Sequence, residues 1–267
     1  MARKISISGT HVVLASTTSP KDTGLLDELI EAYYRWTKME TRIDVVAVGT
    51  GAAMEIAKLG DADMLLTHDT ESENQFLEEG YGVDRYEVMY NDFIIVGPKE
   101  DPVRVMNAGS ALDAFRRIFV NTAAFVSRGD QSGTHMREKK LWREAGEDPR
   151  RMKKYVTTGG GMEAALREAD AFSAYTLCDT GTYLKFKDEL LNVTQLFSGD
   201  PNLCNQYSVM AVNPARYPNA HYDEALDFIR FVTGEEGQRV IGGFKDRYGN
   251  VLFMPNTGRR GEARKIA

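Results

Sequence analysis

The chain has 267 residues, of which 42% are hydrophobic and 10% aromatic, which is enough apolar material for one large domain or two α/β lobes. This composition excludes collagen-like, disordered and low-complexity proteins, and no apolar run approaches the roughly 20 residues that cross a bilayer. Asp and Glu number 39 against 33 Lys and Arg, and the resulting net charge of −6 argues against non-specific nucleic-acid binding.

Alternating strands and helices in the first hundred residues predict an α/β lobe. The clearest helix has apolar residues at steps of three and four from Leu25 to Trp36, which marks one buried face. In chain order we predict strands at 11–15, 43–48 and 64–67, helices at 25–36, 49–59 and 71–79, and strand-like segments at 87–90 and 93–98. The charged, turn-rich residues 99–102 follow, and we expect the chain to cross there into a second lobe.

A second α/β set follows this crossing. We predict strands at 123–127, 155–157, 174–177, 190–196 and 207–212, helices ending at Phe119 and Ala145, and further helices at 162–169, 222–233 and 235–241. The resulting map has two strand-like crossings, near 90–98 and 205–213. We therefore assign residues 1–94 and 210–267 to lobe I, a discontinuous domain, and residues 95–209 to lobe II, which is inserted in it.

The cysteines and histidines give no sign of a metal centre. Cys178 and Cys204 are too few for a disulfide scaffold or a zinc ribbon, and they form either one bridge or two core thiols. The four histidines lack metal-ligand spacing, so we predict no metal cation and no cofactor. The first four residues carry the charge of a signal-peptide n-region without an apolar h-region, which leaves a cytosolic protein and an exported one without its signal as alternatives.

Four short segments share one design, in which a strand is followed by small hydroxyl residues or glycine and then by a helix start. They are residues 16–19, 49–51, 127–134 and 157–161. The first helical turn leaves about four N–H groups without partners and carries about half a positive charge, and Ser and Thr add hydroxyl donors. Each segment alone is explained as a capped helix. Four together favour a cage for a small anion, which such N–H groups can bind even in an acidic protein.

Arg128 is the basic residue inside these loops, and its guanidinium offers a planar fork of donors to an oxyanion. The alternative is a salt bridge to Asp130, and both hold if Asp130 orients the arginine. His135 lies nearby, but no ordered Ser–His–acid set or nucleophile elbow is visible, so we predict that the protein is not an enzyme. Asp61 and Asp63 precede a strand and are interpreted as turn residues.

Seven motifs occur in order between residues 11 and 255. They are the segment 15–26 that begins Ala-Ser-Thr-Thr-Ser, Val-Gly-Thr-Gly at 48–51, Gly-Asp-Ala-Asp at 60–63, Tyr-Asn-Asp-Phe-Ile-Ile-Val-Gly-Pro at 90–98, Ser-Arg-Gly-Asp-Gln-Ser-Gly-Thr-His at 127–135, Tyr-Thr-Leu-Cys-Asp at 175–179 and Tyr-Ser-Val-Met-Ala-Val-Asn-Pro at 207–214. Together they resemble the tungstate-binding proteins of ABC importers. The resemblance implies a two-lobed α/β fold of the type II periplasmic-binding-protein class, with a hinge of two crossing strands that closes when a ligand binds. It also implies capture of a tetrahedral oxyanion, tungstate or molybdate, and its delivery to an ABC permease with its ATPase.

Carried over by position, the resemblance implies ligand donors from both lobes. The implied ligand-binding residues are Thr17, Thr18, Ser19, Thr50 and Gly51 in lobe I, and Arg128, Ser132, Gly133, Thr134, Gly160 and Gly161 in lobe II. The family usually shows three threonines before the serine, whereas Ser16 opens the run here, and another hydroxyl preserves the chemistry. The resemblance further implies a monomer in the periplasm or a lipoprotein at the cell surface.

Two alternatives remain beside this interpretation. The pattern Ser-Arg-x-Asp-x-Ser-Gly-Thr also resembles phosphate-binding proteins, and phosphate near neutral pH carries a proton for which Asp130 could be the acceptor. The second alternative is an intracellular oxyanion sensor on the same fold. Residues 259–265 form a basic tail outside the resemblance, and we interpret them as a solvated end.

Overall fold

The computed structural model describes residues 9–246 and 248–256, which divide into two compact units. Unit 1 contains residues 9–89, 206–246 and 253–256, and unit 2 contains residues 90–205 and 248–252. The charged start of the chain and the predicted basic tail at 259–265 lie outside the described residues.

The elements follow one another as alternating strands and helices. In chain order they are β1 (Thr10–Thr17), α1 (Thr18–Asp22), α2 (Leu25–Trp36), β2 (Thr41–Val48), α3 (Thr50–Leu59), β3 (Met64–Thr67), α4 (Thr70–Glu78), β4 (Gly82–Pro98), α5 (Ala111–Val120), β5 (Phe125–Ser127), α6 (Gly133–Ala145), β6 (Tyr155–Thr157), α7 (Gly161–Phe172), β7 (Thr176–Asp179), α8 (Thr180–Phe186), β8 (Val193–Phe197), β9 (Cys204–Val212), α9 (Tyr222–Thr233), α10 (Glu235–Gly243) and β10 (Met254–Pro255). The predicted α/β class is confirmed. No helix within the described ranges has the length and apolar character needed to cross a membrane.

A parallel sheet forms the centre of unit 1. β1 pairs along its whole length with β2, from Thr10 opposite Thr41 to Thr17 opposite Val48, and on its other side with β3. β9 runs antiparallel to β3, and the strand order is β10-β4-β9-β3-β1-β2. Because β1, β2 and β3 are parallel, their carboxyl ends share one edge of the sheet, and a helix begins within three residues of each end.

Helices cover this sheet with the apolar faces that the sequence pattern predicts. Leu25, Leu29 and Tyr33 of α2 are fully buried, and the Tyr33 ring meets Phe228 of α9 edge-on with their centroids 5.2 Å apart. A separate cluster joins residues of α3 and α4 to Leu65 and Met210 of the sheet. Burial of these apolar side chains is the main term that stabilises the unit.

Unit 2 is built on the second half of β4. Residues Phe93 to Pro98 pair antiparallel with β7 and β8, and β5 pairs in parallel with β6. Phe125 of β5 also bridges to Tyr175 in parallel, which continues the layer toward β7. The Trp142 ring of α6 lies edge-on to Phe125, with centroids 5.2 Å apart, and fixes α6 against these strands.

Several predicted segments differ from the structure. The strand-like segments at 87–90 and 93–98 are parts of the single strand β4, because the side chain of Asn91 accepts a hydrogen bond from Asn205 Nδ2 at 2.7 Å and makes no turn. The predicted strands at 174–177 and 190–196 are shifted to Thr176–Asp179 and Val193–Phe197. Helix α8 was not predicted; Asp179 caps its first turn by accepting from Thr182 N at 2.8 Å.

Two side-chain interpretations also change. Asp63 is buried, and its carboxylate accepts from Val13 N at 2.7 Å and from His221 N at 2.8 Å, so it joins β1 to the start of α9 and is more than a turn residue. No disulfide joins Cys178 and Cys204, and the Cys178 thiol is buried in the apolar core of unit 2.

A buried ion pair in unit 1 gives a test of the fold. The Arg85 Nη2 lies 2.7 Å from Glu73 Oε2, both side chains are almost completely buried, and Thr67 Oγ1 donates to Glu73 Oε1 at 2.8 Å. We expect Arg85→Met to lower the free energy of unfolding by about 3–5 kcal/mol, because it leaves the Glu73 charge unpaired in the core. The measurement is urea denaturation. The matched change Arg239→Met, which breaks an exposed pair with Glu236, should leave the midpoint nearly unchanged. Equal shifts in the two variants would contradict the prediction.

Candidate functional site

Four buried hydroxyls in unit 1 have no hydrogen-bond partner among the described residues, those of Thr17, Thr41, Thr50 and Ser208, and two of them, Thr17 and Thr50, belong to the predicted donor segments. Thr17 ends β1 and is 3% exposed, Thr50 begins α3 and is 2% exposed, and neither Oγ1 is bonded. Thr17 lies opposite Val48, the last residue of β2, so both hydroxyls belong to the carboxyl edge of the parallel sheet. A buried hydroxyl without a partner costs about 1–3 kcal/mol, and a ligand that accepts hydrogen bonds would remove this cost.

Two of the three helices that begin at this edge, α1 and α3, have no side-chain cap, whereas Asp69 caps α4. The cap residue Thr17 of α1 and the cap residue Gly49 of α3 make no side-chain hydrogen bond to the first turn. Thr18 and Ser19 are half-buried in the first turn of α1, and a Cβ added at Gly51 would meet no atom within 4 Å. The first-turn N–H groups, which have no acceptor inside the helix, therefore remain for an acceptor from outside it.

The Arg128 loop of unit 2, residues 128–134, contains the salt bridge that the sequence offered as an alternative. Arg128 donates from Nε and Nη2 to Asp130 Oδ2, at 3.0 and 2.6 Å, and its Nη1 lies 3.5 Å from Thr134 Oγ1. Asp130 thus turns the guanidinium toward the first turn of α6. Arg128 has five N–H donors, and N–H groups on Nη1 and Nη2 are left over for a further acceptor.

Both carboxylate oxygens of Asp130 accept hydrogen bonds within its own loop. While its Oδ2 accepts from Arg128, its Oδ1 accepts from Ser132 N at 3.2 Å. Burial raises the pKa of the Asp130 carboxyl, but the hydrogen bonds from Ser132 and the charge of Arg128 outweigh burial and hold this pKa below its usual range. Asp130 is therefore an ionised carboxylate that positions the N–H donors of Arg128 and Ser132.

The N-terminus of α6 is ordered by contacts within the loop. Ser132 is the cap residue, and its Oγ accepts from His135 N at 3.3 Å, while Gly133 and Thr134 are buried in the first turn. His135 Nδ1 accepts from Gln131 N at 3.0 Å, so the imidazole is neutral with its proton on Nε2. Burial, together with the positive charge of Lys139, lowers the pKa of His135. The Nδ1 lone pair of His135 is therefore used within the loop.

The third and fourth sequence segments lie side by side in unit 2. Gly159 N donates to Arg128 O at 2.8 Å, and Thr158 N donates to Ser127 O at 3.1 Å. Gly129 has a φ of +67°, and a Cβ there would lie 2.8 Å from Thr157 Cβ, so this close approach requires glycine. The structure therefore brings the Arg128 loop next to the start of α7.

Gly160 and Gly161 differ in what they offer. The Gly160 N–H already donates to Thr158 Oγ1 at 3.3 Å, which is a use inside the loop that the sequence did not predict. Gly161 begins α7 with a φ of +85°, in the left-handed region that favours glycine. Both residues stay predicted ligand donors.

One buried residue next to these loops was missed by sequence reasoning. Glu138 lies on α6, one turn after Thr134, and is 2% exposed. The spacing of four residues was a possible signal, since it puts the two side chains on one face of the helix.

In the described parts of the chain, no group of three or more His, Cys, Asp or Glu residues could hold a metal ion.

Comparisons with known proteins place this chain in a family. It matches a PBP superfamily domain over residues 5–236. The tungstate-binding protein TupA of Peptoclostridium acidaminophilum is 42% identical over 92% of this chain and 86% of that protein. The chain belongs to the PBP superfamily and, within it, to the family of the tungstate-binding proteins TupA.

Solved structures agree with this membership. The tungstate-binding protein TupA from Desulfovibrio alaskensis G20 is 38% identical, with a TM-score of 0.83, over 93% of this chain and 99% of that one. The tungstate ABC transporter structure from Geobacter sulfurreducens is 41% identical, with a TM-score of 0.76, over 88% of this chain and 98% of that one. The predicted family resemblance is confirmed.

The unpartnered hydroxyl of Thr50 leads to a prediction for the protein without ligand. We expect Thr50→Val to leave the free energy of unfolding unchanged or to raise it, because the substitution removes a buried polar atom that has no partner. The matched change Thr67→Val should lower it by about 1–3 kcal/mol, because it removes the donor to buried Glu73. Urea denaturation measures both. A loss at Thr50 as large as that at Thr67 would show that the Thr50 hydroxyl is already bonded.

Proposed function

We propose that the protein is an extracytoplasmic solute receptor that captures tungstate, and also molybdate, and delivers it to an ABC importer. The observation that carries this proposal is that the predicted segments of each unit, taken separately, offer hydrogen-bond donors. Thr17 and Thr50 contribute unpartnered hydroxyls, Arg128 has N–H groups left over, and the Asp130 carboxylate is engaged by its own loop. A tetrahedral dianion without protons needs donors alone.

The same observation distinguishes tungstate from the first alternative, phosphate. Phosphate near neutral pH carries a proton, and its hydroxyl needs an acceptor. Asp130 was the candidate for that role, but its two oxygens accept from Arg128 and Ser132. The names of the related proteins, which are described as tungstate-binding, support the same choice.

The importer is the second part of the proposal. The related structure from Geobacter sulfurreducens is described as a tungstate ABC transporter, and we infer that this chain likewise serves an ABC permease and its ATPase. We further propose that it acts as a monomer, in the periplasm or as a lipoprotein on the cell surface, and that it binds its ligand without chemical change. An intracellular oxyanion sensor is the remaining alternative, and no residue described above favours it.

The first test is calorimetric titration of the ligand-free protein with four sodium salts: tungstate, molybdate, sulfate and phosphate. We expect tungstate and molybdate to bind more tightly than sulfate, because the smaller anion cannot reach all donors at once. Phosphate should bind more weakly still, because its hydroxyl group would meet N–H and O–H donors where it needs a hydrogen-bond acceptor. Phosphate or sulfate binding as tight as tungstate would overturn the assignment of ligand.

Arg128 gives the second test. We expect Arg128→Ala to weaken tungstate binding by about tenfold to 150-fold, the value of a hydrogen bond to a charged group, and Arg128→Lys to restore part of it. Thr50→Val should weaken it as well, since its hydroxyl is a proposed donor. The control is Thr67→Val, whose hydroxyl is bonded to Glu73 and should not affect affinity. Unchanged tungstate affinity in Arg128→Ala would remove this residue from the site.

A further inference from the structure

Glu138 is a buried carboxyl group without a cationic partner. Its residue is 2% exposed, and it forms no ion pair with any residue that the structure describes. Its Oε1 accepts from Tyr155 Oη at 2.6 Å and from Trp142 Nε1 at 3.1 Å, and Ser127 contributes to holding down the pKa of the carboxyl. Acidic side chains are rarely buried without a positive partner, so this position is unusual.

The partners of Glu138 stand directly before both loops of unit 2. Ser127 ends β5 and is followed by Arg128, and Tyr155 begins β6, which leads to the glycines at 159–161. On α6 itself, Glu138 lies one turn behind Thr134. A charge on this carboxyl therefore lies behind the same helix N-terminus that is proposed to receive the oxyanion.

We propose that Glu138 takes up a proton when the loops of unit 2 bind an oxyanion, so that oxyanion affinity falls as the pH rises above neutral. The inference rests on the proposed function and adds a proton-coupled positioning residue to it. The bound dianion and an ionised Glu138 repel each other across the first turns of α6. Protonation from solvent removes that repulsion, and the neutral carboxyl keeps acceptor positions for Tyr155 and Trp142.

Other charges around Glu138 do not replace this coupling. The charged and titratable groups on α6 and on the elements packed against it include His135, Arg137 and Lys139 of α6, Asp113, Arg116 and Arg117 of α5, Tyr155 of β6, Tyr175 before β7 and Asp179 of β7. Asp113 pairs with Arg117, His135 Nδ1 accepts from Gln131 N, and Asp179 accepts from Thr182 N. Lys139 is exposed and only moderates the charge, Arg137 donates to the carbonyl oxygens of Asn202 and Cys204, and Arg116 donates to that of Ala145. The Tyr175 hydroxyl donates to Asp101.

The surroundings of Glu138 move its pKa toward neutral pH. Burial raises the pKa of Glu138 to about 7, against the smaller opposing effects of its hydrogen bonds from Ser127, Tyr155 and Trp142. The carboxyl is thus ionised in part of the ligand-free molecules at neutral pH. A nearby dianion favours the neutral form, so binding raises this pKa, and linkage requires affinity to be highest below neutral pH and to decrease above it.

The size of the effect follows from the helix geometry. Glu138 is about one and a half turns, or about 8 Å, from the start of α6, and a hydrogen bond from the first turn to the dianion adds about 3 Å. The dianion would therefore lie about 11 Å from Glu138. With an effective dielectric constant between about 20 and 80, Coulomb's law gives a change of about fourfold to 150-fold in affinity between the two protonation states, and about tenfold lies within this range. A coupling of that size corresponds to uptake of about half a proton per bound tungstate at a pH just above neutral.

The experiment is calorimetric titration with sodium tungstate at pH 7.5 in Tris, HEPES and PIPES, whose ionisation enthalpies differ. The dependence of the observed heat on the buffer gives the number of protons taken up. We expect about half a proton, together with a decrease of about tenfold in affinity from pH 6 to pH 9. Tungstate binding with no proton uptake would overturn this inference and leave the proposed function intact, whereas absence of tungstate binding would overturn the proposed function.

Two variants assign the proton to Glu138. Glu138→Gln should abolish the uptake and make affinity nearly independent of pH between 6.5 and 8.5, because the amide does not titrate. Glu144→Gln, on the exposed face of α6 and paired with Lys140, should keep the uptake of the unmodified protein. Uptake that persists in Glu138→Gln would identify His135 or another group as the acceptor and overturn the inference. The proton count of the unmodified protein decides between uptake and none even if Glu138→Gln fails to fold.

Discussion

The parallel direction of neighbouring strands is the constraint on which both candidate donor sets depend. In unit 1, β1 and β2 run together from Thr10 and Thr41 to Thr17 and Val48, so the chain must leave both strands at the same edge. In unit 2, β5 and β6 do the same over three residues. A chain that leaves parallel strands turns into helices whose N–H groups point back at that edge, and binding sites of α/β proteins occur there. Each unit therefore offers its donors as a consequence of its strand order.

The sequence predicted those parts of the fold that depend on local pattern. The strand at 64–67 and the helix at 222–233 have the bounds that the structure gives, because each is a regular apolar repeat ended by polar residues. Asn91 lies between two segments predicted as separate strands, and within the single strand β4 its side chain contacts Asn205, 114 residues away. Asp63 likewise contacts His221. Partners so distant along the chain leave no local signal.

The residues of the candidate site also separate into those that local sequence features indicate and those that depend on contacts distant along the chain. Arg128 and the hydroxyl runs could be selected from the sequence because residue type and loop position together indicate a donor. Whether Asp130 is a ligand acceptor or a partner of Arg128 depends on the angle of one loop, which is set by Gly129 packed on Thr157 and by the turn at Gln131. For Glu138 the four-residue spacing from Thr134 is only a weak signal, since an acidic residue inside a polar helix usually faces solvent. Its burial results from Ser127, Trp142 and Tyr155, which come from two strands and the next helical turn.

The pairing of Arg128 with Asp130 also limits how much the charge of Arg128 can contribute to the binding of an anion. A buried guanidinium without a partner would be unstable in the empty protein, and Asp130 removes that difficulty by neutralising it within its own loop. The same carboxylate repels an incoming anion, so the pair together attracts a dianion less strongly than an isolated arginine would. The candidate donors of unit 1 are, by contrast, neutral groups: the hydroxyls of Thr17 and Thr50, which have no partner among the described residues, and the uncapped first turns of α1 and α3. These groups need no counter-charge in the empty state, because neutral donors at a sheet edge can bind an anion without a paired charge.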